Sequence, residues 1–327
     1  MDSSSDKPWR WVAWPVLTVA AIACPFVLGE GYHLHLVIMS LIFSIVAASL
    51  GLIVGYAGML SLGHTAFFGL GAYASALLYL NAGMPLWVGM IVAALVASLA
   101  AWLLGRAILG VRGHRFVIVT VAFAEIMRLI AHNWIELTRG PQGLPGVLAP
   151  KVVVPAFGLI DFNVKTNFYF LALAIAAICI WLMSRLARSP LGWGFLALRE
   201  NEWLGESIGI GAFRHAMLVF VIGAFFAGIG GALYAHYLNI VSPDVFYFSN
   251  TTMLLVMVVM GGLGTIAGPV AGAFVFTALP EYLRVASDYR LVFFGTLLIA
   301  AVLFFPGGLV QIGERLGQLW RRAKVQT

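Results

Sequence analysis

The sequence predicts an all-α polytopic membrane protein of about ten transmembrane helices, on three observations. Of its 327 residues, 62% are apolar and 10% charged, where an ordinary soluble domain carries about 25% charged residues. The apolar residues fall in runs of about 20, the length a helix needs to cross roughly 30 Å of hydrocarbon. A helix also satisfies its own backbone hydrogen bonds there, where water is absent. Finally, the loops between the runs separate by charge.

The spans read as 11–28, 34–54, 59–80, 85–109, 116–131, 167–184, 215–237, 250–264, 266–283 and 290–308. The fifth and eighth are short enough to be re-entrant or broken. With the N-terminus in the cytoplasm, thirteen of the nineteen Lys and Arg residues fall inside, five fall outside, and Arg128 is embedded. Basic residues are retained on the cytoplasmic side, so an N-in, C-in topology is expected. Residues 1–10 then form a cytoplasmic tail, 11–310 a single transmembrane domain and 311–327 a second cytoplasmic tail. The pI near 9.5 follows from the loop bias. No basic cluster is large enough to imply a nucleic-acid partner, and the surroundings are membrane lipid. Cys24 and Cys179 both sit in apolar spans, so no disulfide framework is present to read. The segment Ala21-Ile-Ala-Cys24, following Lys7 and Arg10, superficially resembles a lipoprotein cleavage site. Ala21 stands where Leu is usual and nine further spans follow, so it reads as a plain first helix.

Glycines recur at 51, 55, 58, 63, 69 and 71, across the second and third spans. Small residues let membrane helices approach closely. They also permit a break where protein or water covers the freed backbone, as along transporter substrate paths. Both readings stand for Gly55, Gly58, Ser61, Gly63, His64 and Phe67. A second glycine-dense region, Gly261-Gly-Leu-Gly264 to Gly268-Pro269 and Gly272, falls near the cytoplasmic side in the same topology. Ten spans divide into two sets of five, which would make inverted repeats, although no residue alignment between the halves supports this.

Few polar groups are embedded. His64 reads as a structural hydrogen-bonding group, a substrate contact or a titrating site, with no acidic partner near it in sequence. Glu125 and Arg128 stand three apart on one helical span, share a face and can pair. They read either as a pathway lining or gate, or as a structural ion pair near the outer interface. No HExxH, GxSxG or GxxxxGK[ST] signature is present. The chain therefore carries neither a recognisable catalytic centre nor its own ATP site, and no acidic relay of the kind a proton pump needs crosses the membrane.

Two loops are large enough to meet partners. The outer loop, 132–166, carries Asn133, Trp134, Arg139, Pro141 and Gln142 among turn residues and amides. It suits an ordered, non-helical docking surface. The inner loop, 185–214, has room for one or two short amphipathic helices between Pro190 and Gly211. Ala197, Leu198, Trp203, Leu204 and Ile208 would face a protein groove or lie on lipid. The mixed charge of Arg199, Glu200, Glu202 and Glu206 favours protein over anionic lipid.

Several stretches, in order, resemble the LivM-type permease family of branched-chain amino acid ABC importers. They are Gly55-Tyr-Ala-Gly-Met-Leu-Ser-Leu-Gly-His-Thr-Ala-Phe-Phe-Gly-Leu-Gly-Ala-Tyr73, Arg112-Gly-His-Arg-Phe-Val-Ile-Val-Thr120, and Phe123-Ala-Glu-Ile-Met-Arg128. Thr138-Arg-Gly-Pro-Gln-Gly-Leu-Pro-Gly146, Leu198-Arg-Glu-Asn-Glu202, Gly228-Ile-Gly-Gly-Ala-Leu-Tyr234 and Met260-Gly-Gly-Leu-Gly-Thr-Ile-Ala-Gly-Pro269 follow. Any one of these is weak, but the ordered set covers residues from about 40 to 310. The resemblance implies a multi-pass permease of the bacterial inner membrane. It implies a LivH-type second permease, two ATPase subunits that hold ATP and Mg, and a periplasmic binding protein. This chain itself would bind no cofactor. Arg199, Glu200, Asn201, Glu202, Gly205, Glu206 and Gly209 would form the ATPase-coupling element, although Glu206-Ser-Ile-Gly209 matches the Glu-Ala-Ala loop of other importers only loosely. Relatives that carry urea, short amides or aromatic acids keep the substrate open. So does the general dependence of substrate choice on the binding protein. An ion-coupled secondary transporter is disfavoured by the sparse carboxylates, and a membrane enzyme by the lack of clustered catalytic groups.

Overall fold

The structure is a computed structural model that describes residues 23–25, 29, 31–110, 114–154 and 158–282. The expected tenth span and both tails lie outside the described residues, as does most of the first span.

Helix α1 (Tyr32–Gly51) is the centre of the bundle. It continues as one π turn, Leu52–Tyr56, and 78% of its best apolar window is buried by neighbouring helices. It is hydrophobic on all sides, as a helix surrounded by others must be. After a non-helical stretch the chain re-enters as α2 (His64–Ala82). Gly83, with φ +62°, reverses it through backbone bonds to the Leu78 and Tyr79 carbonyls. Pro85 then opens α3 (Leu86–Ile108).

Helix α4 (His114–Asn133) is 20 residues long. The fifth span is thus continuous and longer than the sequence reading of 116–131, because the helix runs beyond the apolar stretch through the polar His114 and Arg115 at one end and His132 and Asn133 at the other. The outer loop follows. It is less purely non-helical than expected: it begins with a single helical turn α5 (Ile135–Thr138) and a 3-10 turn at Gly140–Gln142. Strand β1 (Leu144–Pro145) comes next, then the antiparallel pair β2 (Lys151–Val154) and β3 (Gly158–Asp161). Thr138 accounts for the added turn. Its hydroxyl lies 2.7 Å from both the Ala131 and the Trp134 carbonyl, its one proton shared between them, and folds the chain back on the end of α4.

Helix α6 (Lys165–Ala187) crosses back and leads into the inner loop. This loop holds two short helices, α7 (Pro190–Glu200) and α8 (Glu202–Ser207). Their starts are written locally. Ser189 accepts from the Gly192 amide with Pro190 at the first helical position, and Asn201 accepts from the Leu204 amide at 3.2 Å. Helix α9 (Ala212–Leu238) is the longest among the described residues, and β4 (Ile240–Val241) pairs with β1 to fasten its end to the outer loop.

A 3-10 turn at Pro243–Phe246 leads to α10 (Phe248–Gly261) and then α11 (Ala267–Tyr282). Helix α10 has 14 residues, about 21 Å at 1.5 Å per residue, too short to cross roughly 30 Å of hydrocarbon. Its chain turns at Gly262 (φ +126°) and Gly264 (φ +79°), and α11 packs directly against it, with the Met257 carbonyl where a Cβ on Gly272 would sit. The eighth span is a half-length helix in a hairpin, one of the two alternatives its length allowed.

Among the described residues, five helices are long and apolar enough to cross a membrane: Tyr32–Tyr56, Leu86–Ile108, Arg115–Asn133, Lys165–Ala187 and Ala212–Leu238. The bundle closes on small residues. A Cβ on Gly71 would collide with the Gly228 backbone, and one on Gly231 with the Phe68 carbonyl. Helices α2 and α9 thus approach to backbone contact, the packing open to membrane helices with small side chains at the crossing.

Candidate functional site

The up-and-down path of the helices gives the bundle two ends. One gathers the outer loop and the α9–α10 connection. The other gathers residues 57–63, the inner-loop helices and the 262–266 turn.

At this second end α1 and its π turn stop at Tyr56. The Met59 amide reaches back to the Ile53 carbonyl at 3.1 Å, with Gly58 at φ +70°. The return spans six positions, one more than a Schellman motif, in keeping with the π turn before it, and Gly58 supplies the left-handed conformation that glycine adopts freely. It leaves the Gly55 carbonyl without its helical partner. Arg199, from the end of α7, donates Nη1 to that carbonyl at 2.7 Å. Its Cγ lies 2.8 Å from where a Cβ on Gly58 would be, and its Nη1 3.2 Å from a Cβ on Gly264. A Cβ on Gly55 would lie 2.8 Å from the Gly264 backbone nitrogen. The two glycine-rich regions therefore meet each other and the inner loop at one point. The same guanidinium pairs with Glu200 at 2.7 Å, with the Arg199 side chain 35% exposed.

The far side of the break rests on α4. The Leu62 amide donates to the Thr120 hydroxyl at 3.2 Å, and the Thr120 carbonyl occupies the place a Cβ on Gly63 would need. Ser61, His64 and Phe67 are buried. His64 Nε2 lies 2.8 Å from Ser49 Oγ, which itself donates to the Val46 carbonyl. Ser49 therefore accepts, Nε2 carries the proton, and Nδ1 presents a lone pair with no protein partner. The Ser49 contact ties the first turn of α2 to α1. Phe67 packs among Phe123, Phe220 and His64, with ring centroids 5.3 to 6.0 Å apart.

The eight path candidates do not come together. Gly55, Gly58, Ser61, Gly63, His64 and Phe67 cluster at the break and the first turn of α2. Glu125 and Arg128 lie further along α4 on a different face, since Phe123 points at Phe67 and a residue two positions on is rotated by about 200°. They do pair, with Arg128 Nη2 2.6 Å from Glu125 Oε1. The carboxylate is outward and 53% exposed. The Arg128 guanidinium also sits 5.7 Å from the Tyr247 ring centroid, near enough for a cation–π contact across to the start of α10.

The inner-loop residues divide by role. Gly194 and Phe195 fix α7 to the bundle, with Phe195 fully buried and His215 2.7 Å from where a Cβ on Gly194 would be. Beyond Arg199 the chain turns outward. Glu200, Asn201 and Glu206 are exposed, Glu202 is half-buried, Gly205 is packed, and Gly209 turns at φ +88°. Trp203, Leu204 and Ile208 are 76%, 65% and 71% exposed and project from α8. At the outer end Asn133, Trp134, Arg139, Pro141 and Gln142 are all exposed around one turn, which Thr138 holds rigid. The sequence reading missed Thr120, the Thr65–Thr251 contact between α2 and α10, and Tyr247 beneath Arg128. The first two pairings join residues far apart in the chain. Their only signal was a hydroxyl inside an apolar run.

Residues 32–302 match the family described as the permease component of the branched-chain amino acid transport system. The chain belongs to this family. It is 32% identical over 317 residues to the high-affinity branched-chain amino acid transport system permease protein LivM of Salmonella typhimurium, covering 90% of this chain and 73% of that protein. The LivM protein of Escherichia coli K12 is 31% identical, with the same coverage. The LivH permease of Salmonella typhimurium is 24% identical over 82% of this chain and 91% of its own length. No solved structure matches the chain. With its family and five long apolar helices, the chain is a multi-pass membrane permease subunit.

Proposed function

We propose that this chain is one of two related permease subunits of an ATP-driven importer for branched-chain or other hydrophobic amino acids. The observation that carries the reading is the projection of α8. It presents Trp203, Leu204 and Ile208, flanked by Glu200 and Glu206, at the end of the bundle where Arg106, Arg185, Arg188 and Arg214 also lie. An exposed apolar set on a short helix fits a groove on a protein partner. In this reading the partners there are two ATPase subunits, which hold ATP and Mg. The end is cytoplasmic, and residues 185–214 are the coupling loop of an N-in and C-in domain over 11–310, with about ten helical segments of which α10 is half-length. The outer turn of Asn133, Trp134, Arg139, Pro141 and Gln142 receives a periplasmic binding protein. The outward pair Glu125–Arg128 belongs to the translocation path or to the contact with the second permease.

The second subunit is LivH-type. Support comes from the likeness of this chain to both LivM and LivH proteins over most of its length, as expected where two homologous permeases pair. The membrane is the bacterial inner membrane. Relatives of urea, amide or aromatic-acid importers remain the alternative substrate class.

The test is a mild-detergent pull-down of the tagged chain from its native membrane, followed by mass spectrometry and ligand screening of any binding protein recovered. A second permease together with P-loop ATPases supports the reading. A lone chain, under conditions that keep another ABC importer intact, overturns it. A binding protein that prefers urea or benzoate to leucine moves the substrate to the alternative class.

A further inference from the structure

We infer that Arg199 is the positioning residue through which movement of the inner loop reaches the broken helix. The inference rests on the coupling-loop reading above and adds the contact by which coupling is transmitted.

Three independent features converge on this side chain. Helix α1 ends in a π turn whose Met59-to-Ile53 return leaves the Gly55 carbonyl without a helical partner; Arg199 Nη1 supplies a donor at 2.7 Å. A helix C-terminus carries partial negative charge, so a guanidinium there is favoured by its charge as well as by its hydrogen bond. The space for the side chain is made by glycines on both discontinuities, Gly58 before α2 and Gly264 between α10 and α11, each with positive φ. A Cβ at either position would press on Arg199. Finally, Arg199 sits at the junction of a fixed helix and a projecting one. Phe195, one turn earlier on α7, is buried in the bundle, and Trp203, four residues later, is exposed.

A force on α8 therefore acts on α7 next to the guanidinium, and the guanidinium holds the Gly55 carbonyl at the end of the α1 π turn. Beyond the break, the Leu62 amide and Gly63 rest on Thr120 of α4, the helix that carries Glu125 and Arg128. Withdrawal of Arg199 would strip the cap from α1 and free residues 57–63 to change their seating on α4. The hydrogen bond and the glycine space join the two glycine-rich regions to the inner loop without any further side chain.

The experiment uses the complete importer in proteoliposomes and measures substrate imported per ATP hydrolysed for wild type, Arg199→Gln and Arg199→Lys. Co-purification of the ATPases is followed in parallel. A charged hydrogen bond and the energy scale of a tenfold change set the expectation that Arg199→Gln lowers the import-to-hydrolysis ratio by about tenfold. Arg199→Lys keeps a cation and one donor for the Gly55 carbonyl, and should recover most of the ratio. The ATPases should remain bound in both variants. A wild-type ratio in Arg199→Gln overturns the inference, and so does loss of the ATPases from that variant, which would make Arg199 a docking residue. Failure of wild type itself to bind ATPases or to import would overturn the importer reading instead, so the two failures are distinguishable.

Discussion

Thr65 and Thr251 share a hydrogen bond of 2.6 Å between their hydroxyls, buried between the first turn of α2 and the half-length α10. It is one of the few polar contacts that fix the hairpin of α10 and α11 to the bundle. Replacing one partner leaves the other hydroxyl buried and unpaired, whereas replacing both removes the need for pairing. Thr65→Val or Thr251→Val alone should therefore destabilise the chain by about 1–3 kcal/mol, with the double substitution close to wild type. Thermal unfolding of the four proteins in detergent gives the double-mutant cycle. Equal, additive losses would mean that the hydroxyls do not act as a pair.

Glycine spacing makes a sharper distinction. Gly71 and Gly231 stand where another backbone occupies the Cβ position, and Gly110, in the turn after α3, has open space and no left-handed conformation. Gly71→Ala and Gly231→Ala should each cost about 1–3 kcal/mol through overpacking, and Gly110→Ala should be neutral. Retention of folded protein during a heating series in detergent ranks the three. A neutral Gly71→Ala would show that α2 and α9 are not in backbone contact.

These pairs also show what the sequence made legible. The long apolar runs specified α1, α3, α6 and α9 to within a few residues, because a helix in hydrocarbon needs little beyond length and hydrophobicity. The break after Tyr56 was readable as a possibility from Gly55, Gly58 and Gly63. It was not readable as a fact, since tight packing and chain reversal favour the same residue. The inner-loop helices were readable only as room for one or two between Pro190 and Gly211; the structure adds the caps, Ser189 and Asn201, that fix where each starts. Convergence of Gly55, Gly58 and Gly264 on Arg199 was invisible, because it joins residues more than 60 positions apart and depends on how α7 docks. The outward direction of Glu125 was equally hidden. Spacing sets which residues share a helix face, and packing alone sets where that face points.

The outer ribbon should respond to acid. The Asp161 carboxyl accepts from the Asn163 backbone amide at 2.9 Å and from the Asn163 side chain, and pairs with Lys151 at 3.0 Å. These contacts, Asn163 first, hold it down to about 2. A depressed folded value means that the ionised carboxylate stabilises the ribbon above the unfolded value of about 4, and that this contribution is lost as pH falls from about 4 toward 2. Amide exchange across β2 and β3 should be slow and flat above pH 5, after correction for intrinsic rates, and should lose protection below pH 4. Asp161→Asn should show no such step. A step of equal size in that variant would assign the titration to another group.

The ion pair on α4 should matter for transport and little for stability. Glu125 is 53% exposed on the isolated chain, and Ile126, Leu129 and Ile130 beside it are exposed as well. An exposed pair of this kind contributes about 0–1 kcal/mol to folding. In a membrane, however, an ionised pair is rarely left against lipid; it faces a wet path or a protein neighbour. Glu125→Gln should therefore unfold within a few degrees of wild type in detergent, while uptake by the complete importer falls by about tenfold, the scale of a lost coupling of about 1.4 kcal/mol. Exchanging the two residues, Glu125→Arg with Arg128→Glu, separates the alternatives. Recovery of uptake would mean that the pair serves by neutralising itself against the neighbouring subunit. Continued loss would mean that the carboxylate must stand at position 125, toward the path. Full uptake in Glu125→Gln would place the pair outside the transport machinery.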